Sequence, residues 1–198
     1  MAYPKYADTG KYNWLLGNVF MTKRANLQRQ PPKQCATCIC CSSSQVDKKT
    51  AKAMVLCCMD FRLRDNMICQ LNIRGYKNNY DEVIDAGSSL GYNGLLDYEN
   101  WNIFIDQQIT LAYNLHNISE IIVIDHLDCG AYKAQYGSEY DTNALQLHTD
   151  NITKCINTLW SVYGIGGSGS TLIPNLVING YLLSIDGCNL DLIYSRSA

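Results

Sequence analysis

The feature that most constrains this chain is a pair of short apolar runs, each leading into a cluster of metal-binding residue types. Ala53-Met54-Val55-Leu56 leads into Cys57-Cys58-Met59-Asp60-Phe61-Arg62. Ile121-Ile122-Val123-Ile124 leads into His126-Leu127-Asp128-Cys129-Gly130. A short apolar run bounded by polar segments reads as a buried strand. Both clusters therefore stand where a strand ends and a loop begins. In parallel α/β sheets that is the end at which sites are built. Side chains alternate along a strand, so Cys58, Asp60 and Arg62 project to one side if the extended backbone continues through Arg62. Cys57, Met59 and Phe61 then project to the other.

Residue types suggest the chemistry. Cys58, His126 and Cys129 supply two thiolates and one imidazole, a set that suits tetrahedral Zn²⁺ and leaves a fourth position over. Three protein ligands with one open position is the catalytic pattern, and such a zinc lowers the pKa of bound water to about 7. Asp60 and Arg62 form a natural pair beside it. A guanidinium grips a carboxylate through two hydrogen bonds and keeps it ionised. The carboxylate can then accept a hydrogen from the activated water and orient its oxygen.

At these residues the sequence resembles the β-class carbonic anhydrases, which carry Cys-x-Asp-x-Arg at one strand end and His-x-x-Cys at another. The stretch Glu120 to Ala131 is similar to that family's third strand and following turn, Val83-Ile84-Asp85-Ala86-Gly87 to its second strand, and Asn179 to Tyr194 to its closing hairpin. The likeness covers roughly residues 53 to 195, and the two zinc motifs together are far more specific than either alone. It implies Zn²⁺ on Cys58, His126 and Cys129. It also implies Asp60 and Arg62 as catalytic residues, and reversible hydration of CO₂ to bicarbonate. A homodimer or larger homo-oligomer is expected, its N-terminal arm lying across the partner subunit. The chain departs from the family where Ile84-Asp85-Ala86-Gly87 stands in place of Arg-Asn-Ala-Gly. Two other readings share the same zinc site: a hydrolase acting on COS or CS₂, and a non-enzymatic, zinc-stabilised scaffold.

Composition excludes several other classes. The 198 residues, 47% hydrophobic and 17% charged, describe a folded globular chain with a real core. A formal charge of -2 with no basic stripe argues against a nucleic-acid partner. No apolar run approaches the ~18 residues that span a bilayer. The start, Met1-Ala2-Tyr3-Pro4-Lys5-Tyr6, does not have the shape of a signal peptide. With thiols in ligand positions, the 10 cysteines point to a reducing, cytoplasmic setting rather than a disulfide scaffold.

In chain order, residues 1–52 read as an aromatic arm followed by a polar linker, and residues 53–198 as the zinc-binding α/β catalytic domain. The linker holds Cys35-Ala36-Thr37-Cys38-Ile39-Cys40-Cys41, read as a cysteine-rich loop with no complete second ligand set. Helices are expected over Leu63–Asn72, Leu96–His116 and Asp141–Tyr163, with a short one between Gly130 and Gly137. Cys69 and Cys155 read as packing residues, His148 sits beside the apolar stripe of the last long helix, and His116 reads as a helix-end residue. Gly164 to Thr171 lacks the Lys of a phosphate loop and does not follow a strand. Strands at Leu176–Ile185 and Cys188–Tyr194 join at Asp186-Gly187, a hairpin signal. The predicted fold is a mostly parallel α/β sheet with flanking helices and a C-terminal antiparallel hairpin.

Overall fold

A computed structural model describes residues 49–96 and 98–198. The arm, most of the linker and the Cys35–Cys41 cluster lie outside the described residues. Strand β1 is Ala53–Cys58, β2 Tyr80–Asp85, β3 Glu120–His126, β4 Val177–Leu183 and β5 Leu190–Ser197. Helix α1 is Arg64–Ile73, α2 Ser89–Asn93, α3 Trp101–His116, α4 Gly130–Tyr136 and α5 Ser138–Tyr163. The strands form one sheet in the order β2-β1-β3-β4-β5. All neighbouring pairs are parallel except the β4–β5 hairpin. The predicted architecture is the one observed.

Every residue of β1 and β3 is buried, which is why both read as unbroken apolar runs rather than alternating ones. Ala53, Val55, Ile122 and Ile124 pack on one face against Leu63 and, on α1, Met67 and Leu71. Met54, Leu56, Ile121 and Val123 pack on the other against Ile105 and Ile109 of α3 and Ile152 and Ile156 of α5. Gly180 of β4 lets α5 approach, since a Cβ there would collide with Ile152 and Ile156.

The chain leaves β1 towards β2 on one side and returns to β3 on the other. The carboxyl ends of β1 and β3 thus flank a topological switch point, the crevice where α/β sheets place their ligands. Gly87, at φ 88°, turns the chain back over that crevice.

Three expectations need correction. The extended backbone does not run through Arg62: β1 stops at Cys58, and Asp60 caps a 3₁₀ turn over Phe61–Leu63. A short polar side chain that can accept an amide two residues on favours a turn over strand continuation. The long helix begins at Trp101, not Leu96, because Asn100 sits in the left-handed region and a separate helix, α2, closes earlier. Cys69 is exposed rather than packed. Cys155, by contrast, is fully buried.

Candidate metal centre

Cys58 ends β1, His126 ends β3, and Cys129 precedes α4. Their ligand atoms all lie within 4.8 Å of one another, and all three residues are buried. The two sulfurs are 3.8 Å apart. That matches the edge of a zinc tetrahedron with ~2.3 Å Zn–S bonds, about 3.8 Å. The His126 Nδ1–H donates to the Leu127 carbonyl at 2.8 Å, since a carbonyl can only accept. In the neutral ring this leaves Nε2 with a lone pair, and that atom is buried with no hydrogen-bond partner. A buried polar atom is rarely left so, and the second-shell bond through the other ring nitrogen is the one metal-binding histidines make. The two thiols share one readily lost proton. The hydrogen bond from Cys129, with the Gly87 amide, favours the Cys58 thiolate, and the same contact pushes Cys129 up. Two sulfurs and an orphaned imidazole nitrogen fit a divalent, tetrahedral, thiophilic ion.

Cys57 belongs to the opposite face. Its thiol packs in the α1 core and lies against Glu82. Burial pushes it far up, as an inert structural thiol behaves.

The Asp60–Arg62 pair forms, but through the turn rather than through strand alternation. The Arg62 amide donates to Asp60 Oδ1 at 3.0 Å. Its guanidinium contributes Nε to both carboxylate oxygens, at 3.0 and 3.1 Å, and Nη2 to Oδ2 at 2.6 Å. These bonds hold the Asp60 carboxyl down at about 2 against the opposing effect of burial. Asp60 Oδ2 lies 3.8 Å from His126 Nε2, so a fixed anion stands at the edge of the ligand cluster.

Sequence reading treated Asp128 as a spacer, yet it is the second jaw of a clamp. Arg62 Nη1 donates to Asp128 Oδ2 at 2.9 Å and Nη2 to its backbone carbonyl at 3.1 Å. Lys133 pairs with its other oxygen. Asp128 has a φ of 62°, a conformation Asp tolerates better than most residues. That kink turns its carboxylate back to Arg62. The guanidinium thereby ties the Cys58 loop to the loop carrying His126 and Cys129.

A narrow cleft opens beside the cluster, lined by Leu63, Met67, Ile124 and Leu183 along with Asp60 and His126. Arg64, held to Glu82, is the one further charged group on its wall. Asp85 has two buried carboxyl oxygens without a good hydrogen-bond partner, and burial raises its pKa to about 8. It stands beside Cys58 in the β1–β2 register. The other histidines lie elsewhere: His116 ends α3 and contacts Asp81 at 2.7 Å, and His148 is fully buried on α5.

Two rickettsial relatives, both described as uncharacterized, align over most of the chain. The one from Rickettsia bellii is 29% identical over 146 residues, covering 74% of this chain and 84% of its own. The one from Rickettsia conorii is 30% identical over 139 residues, 69% of each. Among solved structures, a carbonic anhydrase from Glaciozyma antarctica gives a TM-score of 0.47 at 15% identity over 98% of this chain and 100% of that one. The carbonic anhydrase from Streptococcus mutans gives 0.48 at 17% identity over 74% and 84%. Scores at that level decide nothing by themselves. The family model described as "Putative carbonic anhydrase" matches residues 48–164, a span that takes in both metal-type motifs and more than half of the chain. The chain belongs to that carbonic anhydrase family.

Proposed function

We propose that this protein is a β-class carbonic anhydrase that hydrates carbon dioxide reversibly to bicarbonate and a proton. In this reading Cys58, His126 and Cys129 hold zinc, and Asp60 and Arg62 are the catalytic pair. The observation that carries it is the orphaned His126 Nε2, buried between two thiols and 3.8 Å from a pinned carboxylate. Zinc bound there would supply a Lewis acid that makes water a nucleophile near neutral pH.

The chain's own groups do the rest. Asp60, ionised and acceptor-only, accepts a hydrogen bond from a water beside His126 and fixes which way the oxygen faces. Arg62 keeps it charged and in place. Leu63, Met67, Ile124 and Leu183 offer a small, largely nonpolar wall that suits a linear gas, and the charged group beside them, Arg64, is engaged by Glu82. All three histidines of the sequence are accounted for. His126 faces the thiols, His116 pairs with Asp81, and His148 is buried. The released proton is therefore left to buffer rather than passed to a histidine.

The family also supports a homodimer or larger assembly, with residues 1–52 as an arm and 53–198 as the catalytic domain. No described helix is long and apolar enough to cross a membrane, and a cytoplasmic setting suits free thiol ligands.

The deciding experiment is zinc content per chain together with stopped-flow CO₂ hydration on one purified sample. One zinc per chain and rapid hydration, both lost in Cys58→Ser, is the expected result. Exposed Ile84, standing where the resemblance expects Arg, favours a second reading as a zinc-stabilised scaffold. Full zinc with no hydration of CO₂, COS or CS₂ would establish that reading instead.

A further inference from the structure

Behind the metal centre, on the α5 side of the sheet, lies a buried polar chain that the proposed reaction does not use. Asp125 is 1% exposed and His148 0%. Asp125 precedes His126 on β3, so strand alternation sends its carboxylate to the opposite face. Its Oδ1 accepts the Ser89 amide at 3.0 Å. Its Oδ2 accepts the Ser89 hydroxyl at 2.7 Å, the Tyr132 hydroxyl at 2.5 Å and His148 Nδ1 at 3.0 Å. The carboxylate is an acceptor in every one of these bonds, so His148 must donate through Nδ1. The neutral ring then presents Nε2 as an acceptor, and the Tyr140 hydroxyl faces it at 3.3 Å. That hydroxyl in turn accepts the backbone N–H of Cys129 at 3.3 Å.

The donors and acceptors run in one direction without conflict: Cys129 N–H to Tyr140, Tyr140 O–H to His148, and His148 N–H to Asp125. The Tyr132 ring lies against the His148 ring, 3.7 Å between centroids, and limits its rotation. One end of this chain is covalently next to His126 and the other is the amide of Cys129. A half-satisfied buried network would be costlier than apolar packing. Here every named polar atom has a partner, and the chain ends on a ligand residue.

We propose that Tyr140 and His148 are positioning residues of the metal centre. They lock the Cys129 amide, and with it the thiol, at a fixed distance from His126. The proposal rests on the reading that Cys58, His126 and Cys129 bind metal. Outer-shell partners of metal ligands typically change metal affinity 10- to 100-fold when removed.

The test is Tyr140→Phe, which deletes one hydroxyl and keeps the ring. The probes are zinc affinity by chelator competition and the absorption spectrum of the Co²⁺-loaded protein, whose thiolate-to-cobalt and d–d bands report ligand geometry without turnover. The expected result is a fall in zinc affinity of about tenfold or more, with shifted cobalt bands. His148→Asn can still donate to Asp125 but is too short to reach Tyr140. It should reproduce the shift, and the double variant should add little. Tyr163→Phe is the control, because Tyr163 is equally buried and its hydroxyl bonds Asp106, on α3. It should cost stability yet leave both metal readouts as they were.

Parental zinc affinity and parental cobalt bands in Tyr140→Phe would overturn the proposal. So would an equal change in Tyr163→Phe, which would reduce the network to packing. Failure of the underlying reading looks different: the unaltered chain would then bind no more cobalt than Cys58→Ser, and the proposal would fall with it.

Discussion

Arg62→Lys tests the proposed chemistry most directly, because the structure says how much geometry the substitution removes. The guanidinium makes three hydrogen bonds to the Asp60 carboxylate and two to Asp128, from three different nitrogens. A lysine keeps the charge but offers all its donors from one atom. It can sit on Asp60 or on Asp128 but cannot fork between both. Asp60 then keeps the cap to the Arg62 backbone amide and loses the side-chain grip that fixes its plane. Misplacement of a reacting group by about 1 Å costs on the order of 10²-fold in rate, so kcat/KM for CO₂ hydration should fall by about that factor. Zinc content should stay at the parental level, since no ligand is touched. Asp128→Asn supplies the internal comparison. Its amide oxygen still accepts from Nη1 and all three Asp60 bonds survive, so the loss should stay below about tenfold. Stopped-flow hydration with zinc measured on the same samples decides the matter. If Arg62→Lys, fully zinc-loaded, stays within about threefold of the parent, no interaction made only in the transition state has been lost. The orienting role of the pair is then wrong.

Three further outcomes follow from other parts of the molecule. Cys57→Ser should keep a full complement of zinc while Cys58→Ser loses it; equal loss by metal analysis would contradict the assignment of the two faces. Gly180→Ala should lower stability by about 1–3 kcal/mol in urea titration, because its Cβ would press into Ile152 and Ile156; an unchanged midpoint would mean that α5 can retreat freely. Asp106 is raised by burial, although Tyr92 and Tyr163 both donate to it. A carboxyl raised in the fold contributes fully below its ordinary pKa of ~4, and that contribution is lost as pH climbs through the raised value. Asp106→Asn keeps the Oδ1 acceptor and cannot ionise. Its urea midpoint should therefore pull ahead of the parent's between pH 4 and pH 7, and a gap that shrinks over that range would reverse the sign of the argument.

The candidate metal cluster was legible in the sequence because Cys58 and His126 close two apolar runs, with Cys129 three residues further on, and residue type there carries the chemistry. The sheet was legible for the same reason: β1 and β3 are buried on both faces and read as continuous hydrophobic strands. Sequence periodicity failed where a local side-chain bond beats it. Asp60 bonds the amide two residues on and turns the chain, so the alternation argument reached the right pair by a route the backbone does not take. Asp128 was passed over because a spacer inside His-x-x-Cys gives no sign of bending back. Its role depends on a positive φ and on Arg62, 66 positions away in sequence. His148 was placed beside an apolar stripe, correctly, but its partners come from β3, α4 and α5. No window of sequence joins them. The one available signal was Asp125 itself, a carboxylate within a fully buried strand, which demands donors from somewhere.

The two supports of the candidate metal centre divide along the sheet. Arg62, about half exposed, holds Asp60 and Asp128 from the open side, where water and salt weaken ionic contacts. Asp125, His148 and Tyr140 hold Cys129 from the closed side, where neither reaches. Under the proposed function this arrangement has a physical consequence. The group that must act on water sits on the support that solvent can perturb, while the thiol that must keep the metal sits on the one it cannot. Raising ionic strength should then lower turnover well before it lowers zinc occupancy. Salt that stripped zinc first, with turnover per bound zinc unchanged, would show that the exposed clamp, and not the buried chain, is what retains the metal.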